Sequence, residues 1–259
     1  MFPFLNLFGF SIPMYSIMIG TGLAAGILFA VFRAKRCGLG REDVLFSCLF
    51  AIIGLIVGGK LLYLITMIPW LAENWAQLNS EVWLALIRGG FVFYGGLIGA
   101  LLMIVWYVKM YHIPVFQMLD ALIPSVPLVH AFGRVGCFCA GCCYGVPSEW
   151  GVYFNASETA PHDVKLLPVQ LIEAGCNLLL FAVLLLLSRR FQKKGGFLTG
   201  VYLLGYAVIR FVLEYFRYDA ERGGFWGLST SQWISLILVP VAICFLGYAL
   251  RRPQQQTED

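Results

Sequence analysis

The chain has 259 residues, 60% of them hydrophobic and 12% charged, and a formal net charge of +4. A soluble domain of this length has too little interior to hide so much apolar surface, so a water-soluble globule is excluded and the bilayer is the solvent. Nor does the positive charge point to a nucleic-acid partner, because the Lys and Arg residues gather at Arg33 to Arg41, Lys109, Arg189 to Lys194, and Arg251 with Arg252, each just beyond a long apolar run where anionic headgroups account for them.

Residues 1 to 13, with Pro3 and Pro13, lack a charged n-region and a small-residue cleavage site. They read as a segment lying along the outer interface and not as a removable signal peptide. A hydrocarbon core about 30 Å thick takes roughly 20 apolar residues per helix. Seven such runs follow, over 14 to 32, 44 to 68, 89 to 108, 118 to 136, 167 to 188, 197 to 216 and 229 to 250. Outer loops are expected at 69 to 87 and 137 to 166, and a disordered polar tail over Pro253 to Asp259. The expected fold is an all-α integral membrane protein, one polytopic domain over 1 to 259 with a small outer head at about 137 to 166. All four basic clusters reach the cytoplasm only if the N-terminus lies outside and the C-terminus inside. Gly22 with Gly26, Gly54 with Gly58, and Gly95 with Gly99 have the spacing of close helix contacts.

Function is read from charges that did not go to the cytoplasmic edge: Lys60, Arg88, Asp120, Arg134, Glu173, Arg210, Glu214 and Arg217. Each costs about 2.5 to 3.5 kcal/mol near a helix centre, so several are tolerated only as pairs or around a polar cavity. On the sixth span Tyr206, Arg210, Glu214 and Arg217 recur at steps of four, four and three, which stacks them on one helical face. That face is either a buried ion pair that fixes helix register or the wall of a cavity in which arginines hold an anion. Arg suits phosphate because its planar fork donates two parallel hydrogen bonds.

Opening the third span, RGGFVFYGGLIGA leaves Tyr94 as the polar group beside its glycines; an aromatic there is either an interfacial anchor or part of a site. HAFGRVGCFCAGCCYG, at 130 to 145, ends the fourth span. Arg134 lies there between Gly133 and Gly136, and Cys137, Cys139, Cys142 and Cys143 crowd behind it. That cluster fits a disulfide, packed thiols, or redox or metal chemistry; the spacing holds one C-x-x-C and no second separated pair, so no metal motif is assigned. Cys37, Cys48, Cys176 and Cys244 read as packing residues. His130 shares a helical face with Arg134, His112 and His162 lie away from it, and Trp150, Tyr153 and Phe154 in the outer loop read as an interfacial aromatic patch.

Taken in order, these stretches resemble the bacterial prolipoprotein diacylglyceryl transferase family along nearly the whole chain. The matching segments are PMYSIMIG around Tyr15, VGGKLLY with Lys60, YGGLIG with Gly95 and Gly96, QMLDALIPSVPL with Asp120, the Gly-Arg segment through Gly145, PVQLIEA, GYAVIRFVLEYFR and STSQWISL. The resemblance implies transfer of the diacylglyceryl group of phosphatidylglycerol to the lipobox cysteine of a lipoprotein precursor, giving a thioether and glycerol phosphate. It implies a bacterial inner-membrane location, with membrane lipids and the precursor's signal peptide as partners; no metal or nucleotide motif is present, so no cofactor is expected. Arg134, Arg210, Glu214 and Tyr94 are then the expected catalytic residues. Tyr15, Lys60, Gly95, Gly96, Asp120, Gly145, Tyr206 and Arg217 are expected to contact lipid.

The chain departs from the family pattern at several of these positions. Tyr94 stands for a His, Cys137 and Ala140 for two Asn, Cys142 for a Glu and Lys60 for an Arg. Tyr, with a pKa near 10, is a poor general base at neutral pH. Two further readings therefore stand beside the transferase: a relative that binds phosphatidylglycerol but uses another acceptor or thiol redox chemistry, and a noncatalytic lipid-binding protein.

Overall fold

The computed structural model describes residues 2–7, 9–75, 79–157, 159–191, 194–218 and 224–251. Arg252, the tail over 253 to 259 and Lys193 lie outside the described residues. Among the described residues seven helical stretches are long and apolar enough to cross a membrane, as the composition requires. An antiparallel hairpin of β1 (Phe4–Leu7) and β2 (Phe10–Pro13) leads into α1 (Met14–Arg33). The spans continue with α2 (Arg41–Thr66), then α5 (Phe93–Met110) after two short helices, α3 (Ile68–Glu73) and α4 (Ser80–Arg88). The fourth span is two helices, α6 (Val115–Leu122) and α7 (Ser125–Ala140). A small sheet of β3 (Pro147–Tyr153) and β4 (Lys165–Leu166) precedes α8 (Val169–Phe191) and α9 (Phe197–Glu214). A hairpin of β5 (Gly224–Phe225) and β6 (Leu228–Ser229) precedes α10 (Thr230–Arg251).

Two boundaries differ from the hydropathy reading, each for a local reason. The third span opens at Phe93 and not at 89, because Gly89 is extended and Gly90 has φ +66°. A Cβ on Gly90 would lie 2.0 Å from the Tyr63 ring, so this turn needs glycine for both conformation and space. The fourth span is interrupted at Pro124, which lacks the N–H that would continue the ladder.

The chain falls into two compact units. In the unit of residues 39–118, α2 packs along α5 through four glycines: a Cβ on Gly54 would lie 2.3 Å from the Gly99 carbonyl oxygen, and one on Gly58 the same distance from that of Gly95. Backbone meets backbone along this seam, which the glycine spacing anticipated. In the unit of residues 1–38 and 119–259, α1 packs on α7, α7 on α8, α8 on α9 and α9 on α10. Gly22 and Gly26 of α1 face Phe132 and Val129 of α7. Leu180, Leu184, Phe197, Leu198, Tyr202 and Ala249 form the apolar core between α8, α9 and α10.

Candidate active site

Three neighbouring helices of the larger unit each place a charge at one point. Arg134 of α7 puts Nη2 3.0 Å from Glu173 Oε1 on α8, and Arg210 of α9 puts Nη1 3.9 Å from Glu173 Oε2. One turn beyond, Glu214 Oε2 lies 2.6 Å from Arg210 Nη2, which also donates to Ser231 Oγ of α10 at 2.8 Å. His130, one turn before Arg134, brings Nε2 to 3.5 Å from Glu173 Oε1 and packs its ring on Tyr206 at 5.5 Å. Glu173 is only 1% exposed, and a carboxylate so deep persists in ionic form only with cations beside it.

The pairing leaves hydrogen-bonding capacity over. Arg134 Nε and Arg210 Nη1 are buried and have no hydrogen-bond partner among the described residues, and the same holds for the acceptors Glu173 Oε1 and Glu214 Oε2. Such orphaned donors are costly in low dielectric unless a ligand meets them. Two arginines and two glutamates cancel in charge, and Arg217, which acts electrostatically on Arg134, adds one positive charge.

The structure places Tyr15 and Arg217 within electrostatic reach of Arg134 and bridges Gly145 to Arg217, while Tyr206 packs on His130 further along α9. Tyr15 packs on Gly136, where a Cβ would lie 3.2 Å from its ring, and acts electrostatically on Arg134. Gly145 bridges antiparallel to Arg217 and donates its N–H to Leu167 at 2.9 Å; a Cβ there would strike Val169 Cγ2 at 2.4 Å. Its role is close packing of the head against the end of α9.

Other expected lipid contacts are occupied elsewhere. Asp120 is a buried cap for α9: Oδ2 accepts from the N–H groups of Gly196 and Leu198, and Oδ1 from the N–H and hydroxyl of Thr199, at 2.6 to 3.2 Å. Lys60 donates to the carbonyls of Leu86, at 2.6 Å, and Gly89, closing the end of α4 against α2. Gly95 and Gly96 line the helix seam, where Cβ atoms would meet the carbonyls of Gly58 and Leu55 at 2.4 and 2.9 Å. Tyr94 stands partly exposed at the start of α5 with its ring edge-on to Phe93. Of the aromatic patch, Trp150 is 90% exposed, but Phe154 is wholly buried against Leu166 and Ala160, so it belongs to the core of the head.

The cysteines converge through a helix ending. Gly141, at φ +75°, donates its N–H to Phe138 O, and Cys142 donates to Cys137 O, the paired bonds of a Schellman turn. Cys137, Cys142 and Cys143 thereby bring their Sγ atoms within 4.8 Å of one another, and none of the eight cysteines forms a disulfide. Hydrogen bonds from Cys137 and Cys142 hold the Cys143 thiol below the ordinary thiol range, and Arg217 and Arg134 act in the same direction.

Sequence reasoning named Arg134, Arg210 and Glu214 as site candidates and gave Glu173, which the structure joins to both arginines, no role. A signal for it exists: Gln170, Glu173 and Asn177 recur at steps of three and four, so α8 carries a polar stripe like that of α9, and all three are buried.

Seven membrane-spanning helices define an integral, multi-pass membrane protein, and its larger unit gathers two arginines and two buried acids from three neighbouring helices. The chain belongs to the prolipoprotein diacylglyceryl transferase family, whose model matches residues 3–248. It is 38% identical over 240 residues to a phosphatidylglycerol–prolipoprotein diacylglyceryl transferase of Clostridium tetani, covering 92% of this chain and 93% of that one. A second such transferase, from Clostridium perfringens, is 32% identical over 90% of both chains. One from Dehalococcoides mccartyi is 29% identical over 252 residues, 96% of this chain and 93% of its own.

Proposed function

We propose that this chain is a transferase that moves the diacylglyceryl group of phosphatidylglycerol onto the lipobox cysteine of a prolipoprotein. The observation that carries the site assignment is Glu173 joined to both Arg134 and Arg210 while the buried Arg134 Nε has no hydrogen-bond partner among the described residues. A phosphodiester carries one negative charge, which the single excess positive charge of the cluster balances.

In the reaction the acceptor sulfur bonds to the glycerol carbon that bears the phosphate, and the carbon–oxygen bond breaks. Its electron pair stays on the phosphate oxygen, and the thiol proton passes to that phosphate or to water. The phosphate therefore gains charge as the bond breaks, and preorganised arginines hold it more strongly in the transition state than in the bound lipid. Glu173 and Glu214 keep the guanidinium groups aimed. Only a few per cent of a free thiol is ionised at pH 7, so the acceptor gives up its proton as the sulfur–carbon bond forms. The site opens toward the outer face of the inner membrane, where the precursor's signal peptide presents its cysteine beside the exposed Trp150.

The test is transfer of labelled phosphatidylglycerol to a lipobox peptide in lipid nanodiscs. Arg210→Ala and Arg134→Ala are each expected to lower thioether formation by about 10²-fold or more, the usual effect of removing one charge-stabilising donor. Unchanged rates in both variants would overturn the assignment.

A further inference from the structure

The thiol trio is unused by the transfer reaction, and its geometry is that of a preformed ligand set. In a Schellman turn the third residue from the helix end and the second residue beyond it come into contact, and here those positions are Cys137 and Cys142. Cys143 completes the group from a left-handed backbone at φ +62°, a conformation that non-glycine residues adopt at a cost and that needs outside support. The support is present: Gln170 Nε2, nearly inaccessible, donates to Cys142 O at 2.7 Å, and Ser157 Oγ donates to Gly141 O at 2.9 Å. Cys139, two residues along α7 from Cys137, points about 200° around the helix and is not in the group.

We propose that Cys137, Cys142 and Cys143 bind one soft d10 cation of the Zn²⁺ class through three sulfur ligands. Sulfurs bound to zinc at about 2.3 Å lie roughly 3.8 to 4.0 Å apart. Sγ atoms already within 4.8 Å reach that spacing by small side-chain rotations. Binding releases the thiol protons and gives a complex of charge −1. Three protein ligands leave a fourth position, which water or another thiol can fill. This departs from the expectation of no metal, because the spacing C-x-C-x-x-C-C does not display the turn that gathers three of its members.

The experiment uses the full chain, purified anaerobically in nanodiscs under reducing conditions, loaded with Zn²⁺ and dialysed. Metal analysis is expected to find one equivalent in the unaltered protein and in Cys139→Ser, and none in the Cys137→Ser, Cys142→Ser, Cys143→Ser triple variant. Peptide mapping keeps the idea testable if that variant does not fold: Zn²⁺ at ten times its dissociation constant should slow maleimide labelling of Cys137, Cys142 and Cys143 about tenfold, reversibly with EDTA, leaving Cys139 and Cys176 unchanged. Equal metal in the unaltered and triple-variant proteins, equal protection of Cys139, or a Cys137–Cys142 disulfide in the anaerobic protein would each overturn it. None of these readings depends on transferase activity.

Discussion

Glu173 sits between two guanidinium groups on different helices, so removing its charge leaves Arg134 and Arg210 facing each other in low dielectric. Breaking such a buried group costs about 3 to 5 kcal/mol. Glu173→Ala is therefore expected to lower the thermal midpoint in detergent sharply, and Glu173→Gln less, because the amide still accepts one hydrogen bond. Asp120 illustrates a different use of a buried acid. Its two oxygens meet three N–H groups and a hydroxyl at the start of α9. Asp120→Ala should destabilise by about 2 kcal/mol, the upper range for losing a helix cap, again read as a thermal midpoint. Arg210 and Glu214 were legible because they lie one turn apart on one helix. The partner of Asp120 lies 76 residues away in Gly196, and no local spacing in the chain indicates that pairing.

At the scale of elements, the seam between α2 and α5 has no room for a side chain. Gly58→Ala puts a methyl 2.3 Å from a backbone oxygen, which cannot rotate aside. Overpacking of this kind costs about 1 to 3 kcal/mol, so the variant should unfold at lower temperature. Gly247→Ala in α10, where nothing lies within 4 Å, is the control and should be neutral or stabilising. The apolar runs located all seven spans, since length and hydropathy decide what crosses a bilayer. Their ends were less legible: the start of α5 depends on the Gly90 turn against Tyr63, and the break at Pro124 lies inside a stretch whose hydropathy reads as one span. The short helices α3 and α4 escaped notice because amphipathic segments of this size give no hydropathy peak.

Across the whole molecule, the basic clusters predict a single orientation. Membrane-impermeant maleimide applied to intact cells should label Trp150→Cys in a background without exposed thiols, and should reach His112→Cys only after permeabilisation; the reverse pattern would refute the N-terminus-outside arrangement. The convergence of Arg134, Glu173, Arg210 and Glu214 also bears on how the protein is made. In the order of synthesis their charges alternate, positive on α7, negative on α8, then positive and negative on α9. Each would burden its helix by about 2.5 to 3.5 kcal/mol if that helix entered lipid alone. A ribosome therefore delivers to the membrane, in turn, a charge and the next helix that cancels it, and α7, α8 and α9 enter as a growing bundle whose electrostatic debt is settled one helix at a time.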